Sequence, residues 1–320
     1  MTTANAGLEK IAIIGSGSIG AGWAIVFARA GFDVTLHDVA AAQLDKAETL
    51  IGERLAELAT YCLLGNQPAE IAARIRYMEN LEQAVANADL VIEAAPEILD
   101  LKRDLFSRLI SATQDHAILA SSSSALTTTT IAADLAGRHR CLVAHPGNPP
   151  YLLPVVELVP ADFTAPDIIQ SAQKIFEDAG MSVVTLGREV EGFVFNRLQG
   201  AVLREAYCLV RDGVVSVDDL DKIIRDGLGM RYAFIGPFET SDLNVRGGTA
   251  AHAARMAAAY ERMGAERGQH DPWTPDLVAR VAEQRREKLP LQDWEKRVAW
   301  RDRRLMALNR LKQDLRQTDG

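Results

Sequence analysis

Lys10-Ile11-Ala12-Ile13-Ile14-Gly15-Ser16-Gly17-Ser18-Ile19-Gly20 is the stretch that decides the fold. Lys10 to Ile14 is a short apolar run stopped by glycine, and reads as a buried strand. Gly15 to Gly20 has the spacing GxGxxG, and Ser18 to Ala30 continues at helical period until Gly31 ends it. A second strand, Asp33 to Asp38, closes in an acid 23 residues after Gly15. Glycine loops of this spacing occur on many surfaces. In this order of strand, loop, helix and acid-tipped strand, the pattern reads as a dinucleotide site. Gly15 allows the tight turn, Gly17 lets the backbone approach a pyrophosphate, and Gly20 lets helix and strand pack closely. Ser18 and Ile19 open the helix, whose free N–H groups favour phosphate. A carboxylate at Asp38 accepts both ribose hydroxyls and repels a 2′-phosphate, so the expected cofactor is NAD rather than NADP. The bland alternative is a glycine turn with Asp38 capping a helix.

Outward from this stretch, strands are expected at Arg74–Met78, Leu90–Glu93, Ala117–Ala120, Cys141–Ala144, Val155–Val159 and Ser182–Leu186. Helical patterns at Ala40–Leu64 and Leu99–Ile110 lie among them. Alternation of this kind implies a mainly parallel sheet covered by helices on both faces. Strand signals stop after Gly192, and Phe193–Val210, Val217–Arg225, Ala250–Met263 and Trp294–Leu315 read as helices, with a polar loop at Gly264–Pro275. The expected fold is therefore α/β, a Rossmann-type sheet domain over residues 1–188 followed by an all-α domain over 189–320.

The chain has 320 residues, a net charge of −8 and three scattered cysteines. The acidic balance argues against nucleic acid and anionic membrane as partners. No apolar run is long enough to span a bilayer, and no signal peptide is evident at the N-terminus. Cys62, Cys141 and Cys208 form no CxxC pair, so neither a disulfide framework nor a metal site is expected, and a cytoplasmic location fits.

Two residues stand out from the strand pattern. Glu157 interrupts the apolar run Val155–Val159, and His145 follows Cys141–Ala144, twelve positions earlier and just before Pro146-Gly147-Asn148-Pro149. A carboxylate buried in a strand needs a partner, and an imidazole on the neighbouring strand supplies one. The pair reads either as a general base with its orienting acid or as a satisfied structural couple, and these residues alone leave both standing. Ser124 follows a strand as a substrate contact or an N-cap. Asn196 is a ligand or a polar helix position, and Glu97 a site residue or a helix cap.

Taken together, GSGSIG at Gly15, Asp38, EAAPE at Glu93–Glu97, SSSSAL at Ser121–Leu126, HPGNPP at His145, VELV at Val156–Val159 and GFVFNRL at Gly192 resemble the 3-hydroxyacyl-CoA dehydrogenase family. The resemblance implies that His145 is the base, with Glu157 its partner. Ser124 and Asn196 then bond the substrate oxygen, Glu97 and Lys102 contact the cofactor, and Asn148 shapes the substrate pocket. It also implies a helical second domain and a homodimer.

One segment departs from the acyl-CoA pattern: Gly227-Leu228-Gly229-Met230 is followed by Arg231. This stretch, with Asn148–Pro160, is closer to the branch that includes lambda-crystallin, or L-gulonate 3-dehydrogenase, and carnitine dehydrogenases share an arginine here. A guanidinium grips a small carboxylate in bidentate fashion. Arg231 therefore reads as a carboxylate anchor, or else as an ion pair with Glu239 or Asp242. The resemblance points to NAD-dependent oxidation of the 3-hydroxyl of a small hydroxy acid. The competing readings are a 3-hydroxybutyryl-CoA dehydrogenase, a carnitine dehydrogenase and a non-catalytic, crystallin-like NAD-binding protein.

Overall fold

The computed structural model describes residues 10–61, 63–268, 274–298, 300, 307–308, 311 and 314–315. The chain divides into two compact units, Met1–Leu203 and Arg204–Gly320.

In the first unit the glycine-bounded run is strand β1 (Lys10–Ile14), followed by α1 (Ser18–Ala30), β2 (Asp33–His37) and α2 (Ala41–Thr60). Next come α3 (Pro68–Ala72), β3 (Ile75–Met78), α4 (Leu81–Val85), β4 (Leu90–Glu93), α5 (Leu99–Ala112), β5 (Ile118–Ser121) and α6 (Thr128–Ala132). The unit continues with β6 (Cys141–Pro146), β7 (Val155–Pro160), α7 (Pro166–Asp178) and β8 (Ser182–Thr185). The eight strands form one sheet in the order β3-β2-β1-β4-β5-β6-β7-β8. All adjacent pairs are parallel except β6 and β7, which are antiparallel.

The continuous apolar strands are buried on both faces, as a parallel sheet between helices requires. Alternate residues serve opposite cores. Ile11 and Ile13 of β1 join Trp23 and Phe27 of α1 and Phe176 of α7 on one face. Ala12 and Ile14 join Leu105, Phe106 and Leu109 of α5 on the other. Each fully buried side chain of this size contributes roughly 1.5–3 kcal/mol. Helix α1 buries nine successive residues, Gly20 to Ala28, because it is wedged under the loop after β6. Gly22 faces Pro150, and Arg29 donates to the Tyr151 carbonyl at 2.9 Å. Strand order reverses between β1 and β4, which opens a crevice at the strands' carboxyl ends.

The sequence pattern was silent between Val159 and Ser182, where α7 forms. Pro166 starts it, and Ile168, Ala172, Ile175 and Phe176 supply a buried stripe at helical spacing.

Helix α8 (Phe195–Arg211) leads into the second unit. There the chain forms α9 (Val217–Ile223), a π-helical turn at Ile224–Leu228, α10 (Gly229–Tyr232), α11 (Pro237–Asn244), α12 (Gly248–Glu266) and α13 (Pro275–Lys288). No strand occurs after β8 among the described residues. Helix α12 runs beyond Met263 into the expected loop, and α13, half of whose residues are charged, was not foreseen. Residues 269–273 of that loop and much of the expected Trp294–Leu315 helix lie outside the described residues. The described part, including 294–298, is helical. Ile235, Leu243 and Leu289 form the small core of this unit.

Candidate active site

The antiparallel register places His145 directly opposite Glu157, since β6 and β7 pair residue for residue there. Imidazole Nδ1 and carboxylate Oε2 are 2.8 Å apart, with both side chains almost completely buried. The other carboxylate oxygen is occupied too. Glu157 Oε1 accepts the Val194 amide at 2.7 Å and the Phe195 amide at 3.0 Å. Those amides reach it because Gly192 and Phe193 are both left-handed, with φ of 76° and 49°, and turn the chain sharply into α8. Phe193 is fully buried, its ring 5.3 Å from that of His145 between centroids. Burial alone would push the Glu157 carboxyl up. The hydrogen bonds from His145 and the two amides outweigh it and hold the group below the ordinary carboxylate value. The acid therefore stays ionised, fixing the ring by Nδ1. Nε2 makes no hydrogen bond among the described residues. It lies at the carboxyl end of β6.

Asn196 follows immediately on α8, and its Nδ2 donates to the Ser124 carbonyl at 3.0 Å. The two residues thus meet, through the Ser124 backbone rather than its hydroxyl. Ser124 is exposed and caps nothing, because Thr127 caps α6. Asn148 is exposed on the loop leaving β6.

The glycine loop is shaped for a nucleotide. Gly15 has φ of 102°, and a Cβ there would lie 2.6 Å from the Ala94 carbonyl. A Cβ on Gly20 would lie 1.8 Å from the Gly15 oxygen. Gly17 meets open space instead, and no side chain caps the free amides of α1 behind it. Ser18 and Ile19 form the first turn of that helix. Asp38 lines the adjoining cleft with Gly15 and Gly17. Ser16 donates to Asp38 Oδ2 from its amide at 3.0 Å and its hydroxyl at 2.8 Å. Partial burial pushes the Asp38 carboxyl up, but these bonds and the Ala40 amide more than compensate, so it remains a carboxylate. Glu79, Glu82 and Asp104 line the same cleft. Arg108 also faces it but is bound to Glu82 at 3.0 Å. This acidic wall suits ribose hydroxyls and opposes a 2′-phosphate.

Residues 10–190 match the description "3-hydroxyacyl-CoA dehydrogenase, NAD binding domain", and residues 192–289 match "3-hydroxyacyl-CoA dehydrogenase, C-terminal domain". The chain belongs to the 3-hydroxyacyl-CoA dehydrogenase family. It is 42% identical over 312 residues to the lambda-crystallin homolog of Bos taurus, covering 96% of this chain and 97% of that protein. It is 42% identical over 247 residues to the L-carnitine dehydrogenase of Streptomyces coelicolor, covering 77% and 76% respectively. The solved 3-hydroxybutyryl-CoA dehydrogenase of Escherichia coli K12 superposes with a TM-score of 0.66 at 30% identity, over 79% of this chain and 53% of that one. This member of the family is an NAD-dependent dehydrogenase acting on a CH–OH group, and NAD is its cofactor.

Against the family-based expectation of a cofactor contact, Lys102 faces inward. It sits on the apolar stripe of α5 with Leu105, Phe106 and Leu109, and is 1% exposed. Its Nζ lies 2.8 and 2.9 Å from the two oxygens of buried Glu93 and 3.3 Å from both the Ala95 carbonyl and Glu97. Its three N–H groups are shared among four acceptors. Glu97 does not cap α5 but turns to the serine loop, accepting from the Ser123 hydroxyl and from the Ala125 amide at 3.1 Å. Desolvation raises its carboxyl, yet these bonds and Lys102 bring it below the ordinary value. Glu93, Lys102 and Glu97 thus brace the loop on either side of Ser124. Glu93 and Ser123 stand in the family-like motifs with no role expected of them, and the Val194 and Phe195 amides carry no sequence signal.

Within the second unit, Arg231 of α10 lines a cavity with Thr240, Ser241, Asn244 and His252. Neither acid expected to pair with it does so. Glu239 holds Arg297, and Asp242 holds Arg286. Arg231 bonds only to Asn244 Oδ1, at 3.3 Å, among the described residues.

Proposed function

We propose that this protein oxidises the 3-hydroxyl of a small hydroxy acid, with L-gulonate the leading substrate. The observation that carries the reading is the imidazole whose Nδ1 is tied to an ionised carboxylate held by three hydrogen bonds, while Nε2 makes none among the described residues. His145 takes the hydroxyl proton at Nε2, and Glu157 stabilises the imidazolium that results. Base catalysis of this kind contributes typically about 100- to 10,000-fold. The Ser124 hydroxyl and the second N–H of Asn196 steady the charge that develops on the substrate oxygen. NAD, when bound, supplies the hydride acceptor. Gly15, Gly17, Ser18, Ile19, Gly20 and Asp38 would hold it. Arg231, which pairs with no acid among the described residues, is the candidate group for recognising a substrate carboxylate.

L-carnitine, a 3-hydroxy acid with a C4 ammonium group, is the second reading, supported by the likeness to L-carnitine dehydrogenases. We take the protein to act in the cytoplasm as a homodimer. A panel of free 3-hydroxy acids, carnitine and 3-hydroxyacyl thioesters, followed by NADH absorbance, tests the proposal. Turnover of thioesters alone would reject it, and an inert protein that still binds NAD would indicate a crystallin-like role. His145→Gln should abolish turnover and leave NAD binding intact.

A further inference from the structure

The serines at 121 to 124 close β5 and open the loop after it, and their hydroxyls have different partners. Ser121 donates to Glu93 Oε2 at 2.6 Å. Ser123 donates to Glu97 and accepts the Leu126 amide at 2.7 Å. Ser122 accepts the indole Nε1–H of Trp23 at 2.9 Å. The Ser124 hydroxyl makes no hydrogen bond among the described residues, although its carbonyl accepts from Asn196. Three anchors thus precede the one hydroxyl left for a ligand. Glu93 ends β4 and Glu97 follows it, so two of the anchors belong to the neighbouring strand and its loop. Trp23 belongs to α1, the helix whose uncapped N-terminal amides would meet a bound nucleotide. Its indole is fully buried, with the rings of Phe176 and Phe27 5.3 and 5.8 Å away between centroids. Such packing leaves the N–H one fixed direction, and a buried indole has no second donor with which to reach another acceptor.

We infer that Trp23 is a positioning residue: through Ser122 it ties the serine loop to the nucleotide helix and so sets where the Ser124 hydroxyl stands. Further along α1, Arg29 fixes the same helix to the loop after β6. The helix therefore holds both loops that leave the crevice side of the sheet, one by a hydrogen bond from its middle and one from its end. The inference rests on the proposed function only in giving the Ser124 hydroxyl its role at the substrate oxygen. The link from Trp23 to the loop needs neither substrate nor NAD.

The test combines Trp23→Phe, which removes the N–H and keeps a ring in the core, with Ser122→Ala, which removes the acceptor and leaves the core intact. The first readout is hydrogen exchange of residues 120–127 in the full-length protein without nucleotide. Each variant should exchange there roughly 2- to 10-fold faster than wild type, and the double variant no faster than the faster single one. Unchanged exchange in Ser122→Ala would overturn the link. The second readout is kcat, KM and NAD affinity, with whichever of L-gulonate, L-carnitine and 3-hydroxybutyryl-CoA the protein oxidises. Both variants should lose roughly tenfold or more in kcat, with KM and NAD affinity little changed. In a Ser124→Ala background neither should lower kcat further. A further loss in that background would show plain bracing of the fold and overturn the positioning role. Wild-type kcat in Ser122→Ala, beside a damaged Ser124→Ala, would also overturn it and leave the proposed function standing. Wild-type kcat in Ser124→Ala, or no oxidation of any of the three, would remove the role proposed for Ser124 and the positioning role with it.

Discussion

Glu157→Gln isolates what the acid does, because the substitution changes one group and keeps its volume. The carboxylate accepts three hydrogen bonds, at 2.8 Å from His145 and at 2.7 and 3.0 Å from two backbone amides. A glutamine must set its oxygen against the amides. The opposite orientation would leave two donors facing a third, at about 1–3 kcal/mol for each unsatisfied group. The amide NH2 then faces Nδ1 and makes that nitrogen an acceptor, which moves the ring hydrogen to Nε2. A ring already protonated at Nε2 cannot take the hydroxyl proton. The same tautomer error in a serine protease triad lowers kcat by about 10,000-fold. A loss of about 1,000- to 10,000-fold is expected here, equivalent to about 4–5.5 kcal/mol of barrier. The assay is hydroxy-acid-dependent NADH formation, with NAD binding and thermal unfolding measured on the same preparation. The acid also leaves a mark on stability. Its folded value lies below the unfolded one, so its contribution is present above the ordinary carboxylate range and is lost as pH falls through the folded value. The glutamine variant should lose that acid-side dependence. A kcat within tenfold of wild type, in a folded protein that binds NAD, would refute the claim that Glu157 sets the tautomer of the base.

Three further substitutions probe the surroundings. Asp38→Asn should shift the NAD-to-NADP ratio of kcat/KM toward NADP by roughly tenfold or more, as one charge-assisted interaction and one repulsion disappear together; an unchanged ratio would remove Asp38 from cofactor selection. Gly20→Ala forces a methyl group to 1.8 Å from the Gly15 carbonyl, so the loop must open; calorimetry should find NAD binding lost. Lys102→Met leaves Glu93 buried and unpaired, and should lower unfolding stability by about 3–5 kcal/mol in denaturant titration. A variant of normal stability but weakened NAD affinity would instead return Lys102 to the cofactor.

The legible part of this molecule was its local part. Lys10–Gly20 announces strand, turn and helix within a dozen residues, and β1 and α1 occupy the limits read from it. The His145–Glu157 contact was also within reach, because both residues break apolar runs on strands close in sequence. What held Glu157 on its other side was not. The donors are main-chain groups 37 and 38 residues away, and backbone amides carry no residue signature. The one clue was Gly192 before an aromatic residue. The inward position of Lys102 did have a signal in the sequence. A lysine spaced three, four and seven residues from Leu105, Phe106 and Leu109 lies on a buried stripe, and a buried ammonium must find a carboxylate. EAAPE supplied that acid at Glu93. The ion pairs of Glu239 and Asp242 depend on Arg286 and Arg297, more than 40 positions away, and no spacing rule reaches so far.

Because two of the three hydrogen bonds that hold Glu157 come from the main chain, ordinary mutagenesis is blind to them. Val194 is 43% exposed, and its side chain can be exchanged without touching the amide that grips Glu157. Only an imino acid erases such a donor. The residue at this position can therefore change while the donor stays, and an alanine scan would pass over one of the supports of the His145–Glu157 pair.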